Sequence, residues 1–153
     1  MSSDPDDIRG WQRLDANVTT SGRLLTEDVA RLKNVGVRHV INLALDDHPE
    51  ALPDEAGLLA AAGIAYTHIP VPFDAPSEAH FEEFCDAFGG GGPVHVHCIM
   101  NYRVSAFLYR YNRDVSGILE SAARAQMEQH WSPDTSDHPA AQVWARFIAP
   151  RGT

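Results

Sequence analysis

The stretch VHVHCIMNYRVS, at positions 94–105, combines a cysteine and an arginine at the end of an apolar run. If a strand ends at Cys98 and a helix follows, the first backbone N–H groups of the helix are unpaired and lie at the positive end of its dipole. Such a turn attracts an anion. The dipole and the nearby Arg103 both favour the thiolate form of a cysteine. A thiolate is a nucleophile suited to attack on phosphorus, and a guanidinium can hold two phosphate oxygens at once.

The run HCIMNYRVS, at positions 97–105, resembles the signature of the cysteine-dependent protein tyrosine and dual-specificity phosphatases. In that signature, His-Cys is followed by five residues and then by Arg-Ser. Three further runs are similar to matching elements of small bacterial members of the family, and they occur in the same order: TSGR at 20–23, GVRHVINL at 36–43 and GIAYTHIPV at 63–71. The resemblance covers about residues 14–115. It implies an α/β fold with a central, mostly parallel sheet flanked by helices.

The resemblance also implies an activity and a set of site residues. The activity is phosphomonoester hydrolysis through a cysteinyl-phosphate intermediate, with no metal or organic cofactor. Cys98 attacks phosphorus, Arg103 binds the phosphoryl oxygens, and Asp74, in the loop after a strand, protonates the leaving oxygen. His97 and Ser105 support the loop. The residues implied to bind phosphate are Ile99, Met100, Asn101, Tyr102, Arg103 and Val104. Asp74 also fits a different role, as the cap of a helix that starts near Pro76.

The loop differs from the family signature, because only four residues separate Cys98 from Arg103 and none of them is glycine. An alignment without a gap puts Val104 in the arginine position and turns Arg103 away from the anion by about 100°. An alignment with one residue deleted keeps the role of Arg103, in a tighter loop with one amide fewer. In either alignment Asn101 can adopt the positive φ that glycine supplies in such a loop.

Other functions fit parts of this pattern. An altered loop can bind phosphate or sulfate without turnover, and rhodanese-like sulfur transfer also uses a cysteine between a strand and a helix.

His95 and His97 point to the same side of a strand, as paired metal ligands do. The further ligands of a hydrolytic metal site are missing beside them, so we expect no metal. His95 is also compatible with the role of a core histidine whose ring nitrogens are hydrogen-bonded. Cys98 is likewise compatible with the role of a small core residue. Arg23, in the turn after the first strand, can reach a bound anion or be a solvated charge.

The elements that must position these residues alternate along the chain. Capping residues, apolar periodicity and glycines predict helices near 26–36, 53–63 and 76–88, and apolar runs predict strands at 37–43, 64–71 and 94–98. An edge strand is predicted within 11–20, a helix at 116–129 with Ser116 as its cap, a short helix at 139–148, and a flexible turn at the glycine run 89–93. This alternation indicates a sheet covered by helices on both faces. Chemistry collects at the carboxyl ends of strands in such folds, which is where Cys98 falls.

Length and charge limit the class of protein and its partners. A chain of 153 residues with 44% hydrophobic residues predicts one domain over 1–153, in which 116–153 form C-terminal helices. A net charge of −9 argues against nucleic acid as a partner, but a local nest of amides can still bind a phosphorylated small molecule or a phosphoprotein. No apolar stretch approaches the roughly 18–20 residues of a membrane span, and only two cysteines are present. We therefore expect a cytoplasmic protein without membrane association.

Overall fold

The computed structural model describes residues 4–5, 7–89 and 92–149. Its strands are β1 (Gln12–Asp15), β2 (Val18–Ser21), β3 (His39–Asn42), β4 (Ala65–His68) and β5 (Val94–His97). Its helices are α1 (Asp28–Asn34), α2 (Glu55–Ala61), α3 (Glu78–Phe88), α4 (Tyr102–Asp114), α5 (Glu120–Met127) and α6 (Ala141–Ile148). The strands form a five-stranded sheet in the order β1-β2-β5-β3-β4. Only β1 is antiparallel to its neighbour, so the predicted α/β class with a mostly parallel sheet is confirmed.

The central strand β5 carries the candidate loop. It pairs in parallel with β2 on one side and β3 on the other, which places His97 opposite both Ser21 and Asn42. The carboxyl ends of these three strands therefore meet at one edge of the sheet, and Cys98 follows β5 at that edge. All four residues of β5 are buried, as expected for a strand covered on both faces.

Each face of the sheet packs against its own hydrophobic cluster. Along β3, Val40 belongs to a smaller cluster with Leu32 of α1 and Leu59 of α2. Its neighbour Ile41 points to the opposite face and belongs to a larger cluster, which includes Phe107 of α4. The two-sided covering that the sequence predicts is therefore present.

Two predicted elements differ from the structure. The segment 11–20 is not one edge strand but a hairpin, because the Asp15 carboxylate accepts a hydrogen bond from the Asn17 amide (2.7 Å) and reverses the chain. Its second strand, β2, lies inside the sheet. The helix predicted to start at Ser116 starts at Glu120, because Gly117 has a φ of +71° and interrupts the helical backbone. Ser116 instead donates its amide to the Tyr111 carbonyl and closes α4.

Two regions bear on other expectations. The glycine run predicted as a flexible turn includes positions 90 and 91, which lie outside the described residues. Within the described ranges no helix has both the length and the apolar character needed to cross a membrane.

Candidate active site

The loop after β5 turns sharply into α4 around Cys98, which is 1% exposed. Two hydrogen bonds tie the start of the loop to the end of β2: the Cys98 amide donates to the Ser21 carbonyl (3.4 Å) and the Arg23 amide donates to the Ile99 carbonyl (2.9 Å). Asn101 has a φ of +67°, so the prediction that it adopts the conformation usually left to glycine is confirmed. Its side-chain amide donates to the Gly10 carbonyl (2.8 Å), which holds this conformation in place.

The backbone amides of this loop are available to a ligand. Among the described residues, no amide from 99 to 104 donates to a protein acceptor. The first that does is the amide of Ser105, which donates to the Asn101 carbonyl at 3.0 Å. A series of unpaired amides at the start of a helix is an arrangement that binds phosphate or another anion.

Arg103 lies close to Cys98 at the start of α4. Both residues line one cavity. Arg103 donates from Nη1 to the Val71 carbonyl (2.8 Å), and its guanidinium carbon lies 5.5 Å from the ring centroid of Phe73. In the described part of the chain, no carboxylate lies within ion-pair distance of Arg103.

The cavity has a volume of about 340 Å³ and is mostly apolar. Its lining residues are Leu45, His48, Phe73, Cys98, Ile99, Met100, Tyr102, Arg103 and His138. Loop 45–53, which follows β3, contributes two of them. A thiol and a guanidinium in the lining of a mostly apolar pocket suit an anionic group on a larger organic molecule.

The wall of the cavity depends on the C-terminal part of the chain, which the sequence did not connect to the loop. Tyr102 stacks on Trp131, with ring centroids 4.8 Å apart, and the Trp131 indole donates to the Tyr102 carbonyl (3.0 Å). His138 makes an edge contact with Phe73 at 4.9 Å. No local spacing in the sequence indicates that residues near 131 and 138 lie beside residue 102.

His97 is held by a buried carboxylate that the sequence analysis also missed. Nε2 of His97 and the Glu55 carboxylate lie 2.6 Å apart, and since a carboxylate only accepts, Nε2 carries the proton. Glu55 is 6% exposed, and the Asn42 side-chain amide donates to it at 3.5 Å. The same amide donates to the Tyr66 hydroxyl (3.1 Å), and burial raises the pKa of Tyr66 to about 12. The only sequence signal for Glu55 is an acid in the first turn of α2.

Ser105 lies just after the loop, in the first turn of α4. The Ser105 hydroxyl donates to the Tyr102 carbonyl (3.1 Å), within the first turn of α4.

Asp74 is exposed, in the loop after β4, and does not cap α3. The cap is Ser77, whose hydroxyl accepts from the His80 amide (3.3 Å), so the helix-cap interpretation of Asp74 is wrong. The neighbouring Phe73 lines the cavity, and the Trp144 indole donates to its carbonyl (2.6 Å).

His95 has no free ring nitrogen for a ligand. Its Nδ1 and Nε2 each make a hydrogen bond of 2.8 Å, to the Thr19 and Ser21 hydroxyls respectively. The ring stacks on Trp11 at 5.2 Å. Burial, with a smaller contribution from His97, holds the pKa of His95 well below its ordinary value. His95 is therefore a neutral core histidine. Over the described ranges, no set of three or more His, Cys, Asp or Glu side chains is grouped so that it could hold a metal ion.

The chain is similar to proteins of known structure. No protein family model and no curated protein matches the chain. A crystal structure of a candidate phosphatase, labelled DUF442, from Shewanella putrefaciens CN-32 matches with 32% identity and a TM-score of 0.78, over 93% of this chain and 92% of that one.

More distant structures share the fold. TpbA from Pseudomonas aeruginosa matches with 23% identity and a TM-score of 0.66, over 90% of this chain and 83% of that one. The catalytic domain of the phosphatase SIW14 from Saccharomyces cerevisiae matches with 10% identity and a TM-score of 0.70, over 90% of this chain and 85% of that one. On the strength of the Shewanella match, the chain belongs to the DUF442 group of phosphatase-like proteins, whose fold is that of the cysteine-dependent tyrosine and dual-specificity phosphatases.

Proposed function

We propose that the protein hydrolyses phosphomonoesters through a cysteinyl-phosphate on Cys98. The proposal rests on one combination: Cys98 and Arg103 line the same cavity, and the amides of 99–104, in the same loop, are unpaired. The amides and the guanidinium supply positive charge and donors for the phosphoryl oxygens, and these interactions strengthen as charge develops on them in the transition state.

The proposed reaction has two steps. The Cys98 thiolate attacks phosphorus and forms an S–P bond while the P–O bond to the leaving group breaks. The leaving oxygen takes a proton from Asp74, because an alkoxide or phenoxide is a poor leaving group. Water then attacks the cysteinyl-phosphate and gives one proton to the Asp74 carboxylate, which restores the acid; the S–P bond breaks, and inorganic phosphate and the Cys98 thiolate are released.

Support for Asp74 as the acid comes from its loop. Phe73 lines the cavity, and Asp74 is the next residue along the chain. Pro72 precedes and Pro76 follows, and both restrict the backbone there. Asp74 is exposed and makes no hydrogen bond to other described residues, so its carboxyl is available to a substrate. His48 and His138 also line the cavity and are the alternative proton donors to be tested.

A phosphorylated small molecule or a phosphoprotein is the proposed partner. TpbA, which shares the fold, has been solved in complex with phosphotyrosine. In this chain, Phe73 and Tyr102 give the cavity two aromatic walls beside Cys98, which suit a flat leaving group.

The decisive experiment compares hydrolysis of an aryl phosphate by the unmodified protein and by Cys98→Ser. We expect activity to be lost in Cys98→Ser and retained in the matched control Cys85→Ser, because Cys85 is half-buried on α3 and burial raises the pKa of its thiol. Arg103→Lys should lower kcat/KM by about 10²- to 10³-fold, since lysine cannot bind two oxygens in one plane.

Other outcomes would replace the proposal. An unmodified protein that binds phosphate but hydrolyses no ester would be a non-catalytic relative. A persulfide on Cys98 after treatment with thiosulfate, without phosphatase activity, would indicate sulfur transfer. A phosphatase activity that a chelator abolishes would point to a metal enzyme instead.

A further inference from the structure

Two arginines share one carboxylate beside the loop. Arg9 donates to Glu50 through both of its terminal nitrogens, to Oε1 at 3.0 Å and to Oε2 at 2.8 Å. Nε of Arg23 lies 3.1 Å from the same Oε2. A planar guanidinium facing two oxygens is also the geometry in which arginine binds phosphate.

This group adjoins the cavity that contains Cys98. Nη1 of Arg9 lies 3.5 Å from both the Ile99 carbonyl and the Met100 sulfur. The Glu50 amide donates to Nδ1 of His48 at 2.9 Å. Ile99, Met100 and His48 all line the cavity, so the two arginines lie at its rim.

The backbone fixes the two arginines relative to the loop. The Gly22 amide donates to the Arg9 carbonyl at 2.6 Å, and the Arg23 amide donates to the Ile99 carbonyl. A Cβ on Gly22 would lie only 2.4 Å from the Ile99 carbonyl oxygen, so the turn after β2 packs directly on the loop. The spacing between the arginines and the phosphate-binding amides is therefore set by rigid backbone contacts.

The charges at the rim do not balance. Among the described residues, Glu50 is the one carboxylate within ion-pair distance of either arginine, which leaves one positive charge in excess. The side chains of Arg9, Arg23 and Glu50 are 31%, 30% and 40% exposed, so solvent reaches all three side chains, although Nε of Arg23 is itself buried and makes no hydrogen bond. Exposed ion pairs of this kind are weak, and a more highly charged anion can displace the carboxylate.

We propose that Arg9 and Arg23 form a second anion subsite, in which the Glu50 carboxylate occupies the position of a second phosphate group of the substrate. The substrate class is then a small molecule with two phosphate groups, one held in the loop at Cys98 and the other at the rim. This assignment rests on the proposed function for the role of the first phosphate. In the free protein Glu50 competes with the second phosphate and lowers affinity for it.

The experiment measures binding rather than turnover. In the full chain carrying Cys98→Ser, the Kd values of inorganic phosphate and inorganic pyrophosphate are determined by calorimetry at one ionic strength, without divalent cations. The same pair of values is then measured after adding Arg9→Gln, Arg23→Gln or Glu50→Gln. The control is Arg13→Gln, because Arg13 also makes two hydrogen bonds to a carboxylate, that of Asp4, and its side chain is 35% exposed.

We expect pyrophosphate to bind about tenfold more tightly than phosphate in the Cys98→Ser protein, an advantage typical of one additional charge-assisted contact. Glu50→Gln should increase that ratio by a further factor of about three to ten, because it removes a competing charge. Arg9→Gln and Arg23→Gln should each bring the ratio close to one, and Arg13→Gln should leave it unchanged.

Contrary results are distinct from a failure of the proposed function. If the arginine variants change the ratio no more than Arg13→Gln does, or if Glu50→Gln weakens pyrophosphate binding, the second subsite is refuted even where aryl phosphate is hydrolysed. If no ester is hydrolysed but pyrophosphate binding still depends on Arg9 and Arg23, the subsite stands and the hydrolase proposal fails. Should one arginine variant not fold, the other still decides the question.

Discussion

At the scale of single residues, the loop depends on a buried carboxylate distant in the chain. His97 lies next to Cys98, and the orientation of its ring is set by Glu55, at 2.6 Å. His97 Nδ1 lies 3.3 Å from the Cys98 carbonyl oxygen, so the ring lies between Glu55 and the first residue of the loop. Glu55 touches neither the cavity nor the proposed reacting atoms, and we interpret it as a positioning residue.

Glu55→Gln should therefore lower both the stability of the fold and the affinity of the loop for phosphate. We expect the free energy of unfolding to fall by about 1–3 kcal/mol, because a buried hydrogen bond to a charged group is replaced by a neutral one. Phosphate binding to the Cys98→Ser protein should weaken as well, which a purely structural role would not require. Chemical denaturation and calorimetry measure the two effects. Glu82→Gln, on the exposed face of α3, is the control, and an equal effect in that variant would contradict the positioning role.

The role of Asp74 can be tested through the leaving group. Asp74→Asn should lower kcat by about 10²- to 10⁴-fold for alkyl phosphates, because their leaving oxygen needs a proton. The loss should be much smaller for aryl phosphates with acidic phenols, which leave without protonation. Steady-state kinetics over a series of leaving groups provide the measurement. The same dependence in His138→Gln, and none in Asp74→Asn, would transfer the acid role to His138.

At the scale of elements, the close packing of the turn after β2 on the loop is the contact that most restricts substitution. In Gly22→Ala the new Cβ would lie 2.4 Å from the Ile99 carbonyl oxygen, so the loop or the turn must move. We expect a loss of about 1–3 kcal/mol in stability, as for other overpacked sites, together with a loss of phosphate binding.

The matched control for this variant is Gly117→Ala. Gly117 has a φ of +71° and no neighbour within 4 Å of the position of a Cβ, so alanine there costs about 1–2 kcal/mol through backbone strain alone. Thermal unfolding should show destabilisation in both variants. Phosphate binding should be lost only in Gly22→Ala, and a loop that binds phosphate normally in that variant would show that the contact can relax.

The sequence predicted those elements whose signals are local. The apolar run ending at Cys98 indicated β5, and Asn101 was recognised as able to take a positive φ. The interior position of β2 was not predicted, because strand pairing between distant segments leaves no periodic pattern. For the same reason Glu55, 42 residues from His97, was missed, as was the contact of Trp131 with Tyr102. The sequence also could not choose between the two alignments of Arg103.

At the scale of the whole molecule, stability should depend on pH through buried histidines. Burial holds the pKa of His95 well below its ordinary value, and it lowers the pKa values of His39 and His130 too. The unfolded chain therefore takes up these protons first as the pH falls. Stability is fully present above about pH 6.5, the unfolded value, and is lost below it. The fully buried His95 contributes up to about 1.4 kcal/mol per pH unit, and the half-buried His39 and His130 contribute less because solvent screens them.

Denaturant unfolding between about pH 5 and 8 measures this slope, over a range that brackets the ordinary histidine pKa. His95→Gln should reduce the slope below pH 6.5, because the residue with the most strongly lowered pKa is gone. His80→Gln should leave it unchanged, since glutamine also fits the capping position at the start of α3. Stability that stays constant down to pH 5 would contradict this account.

Residues on either side of the family-like region hold the loop in place, and this affects how the protein can be shortened. Asn101 donates to the Gly10 carbonyl, before β1, and Trp131, after α5, donates to the Tyr102 carbonyl. The recognisable family pattern covers only about residues 14–115, so an expression fragment trimmed to that pattern would lack both braces. Boundaries chosen from sequence similarity alone would therefore yield a fragment that retains Cys98 and Arg103 but has lost part of the support for their geometry.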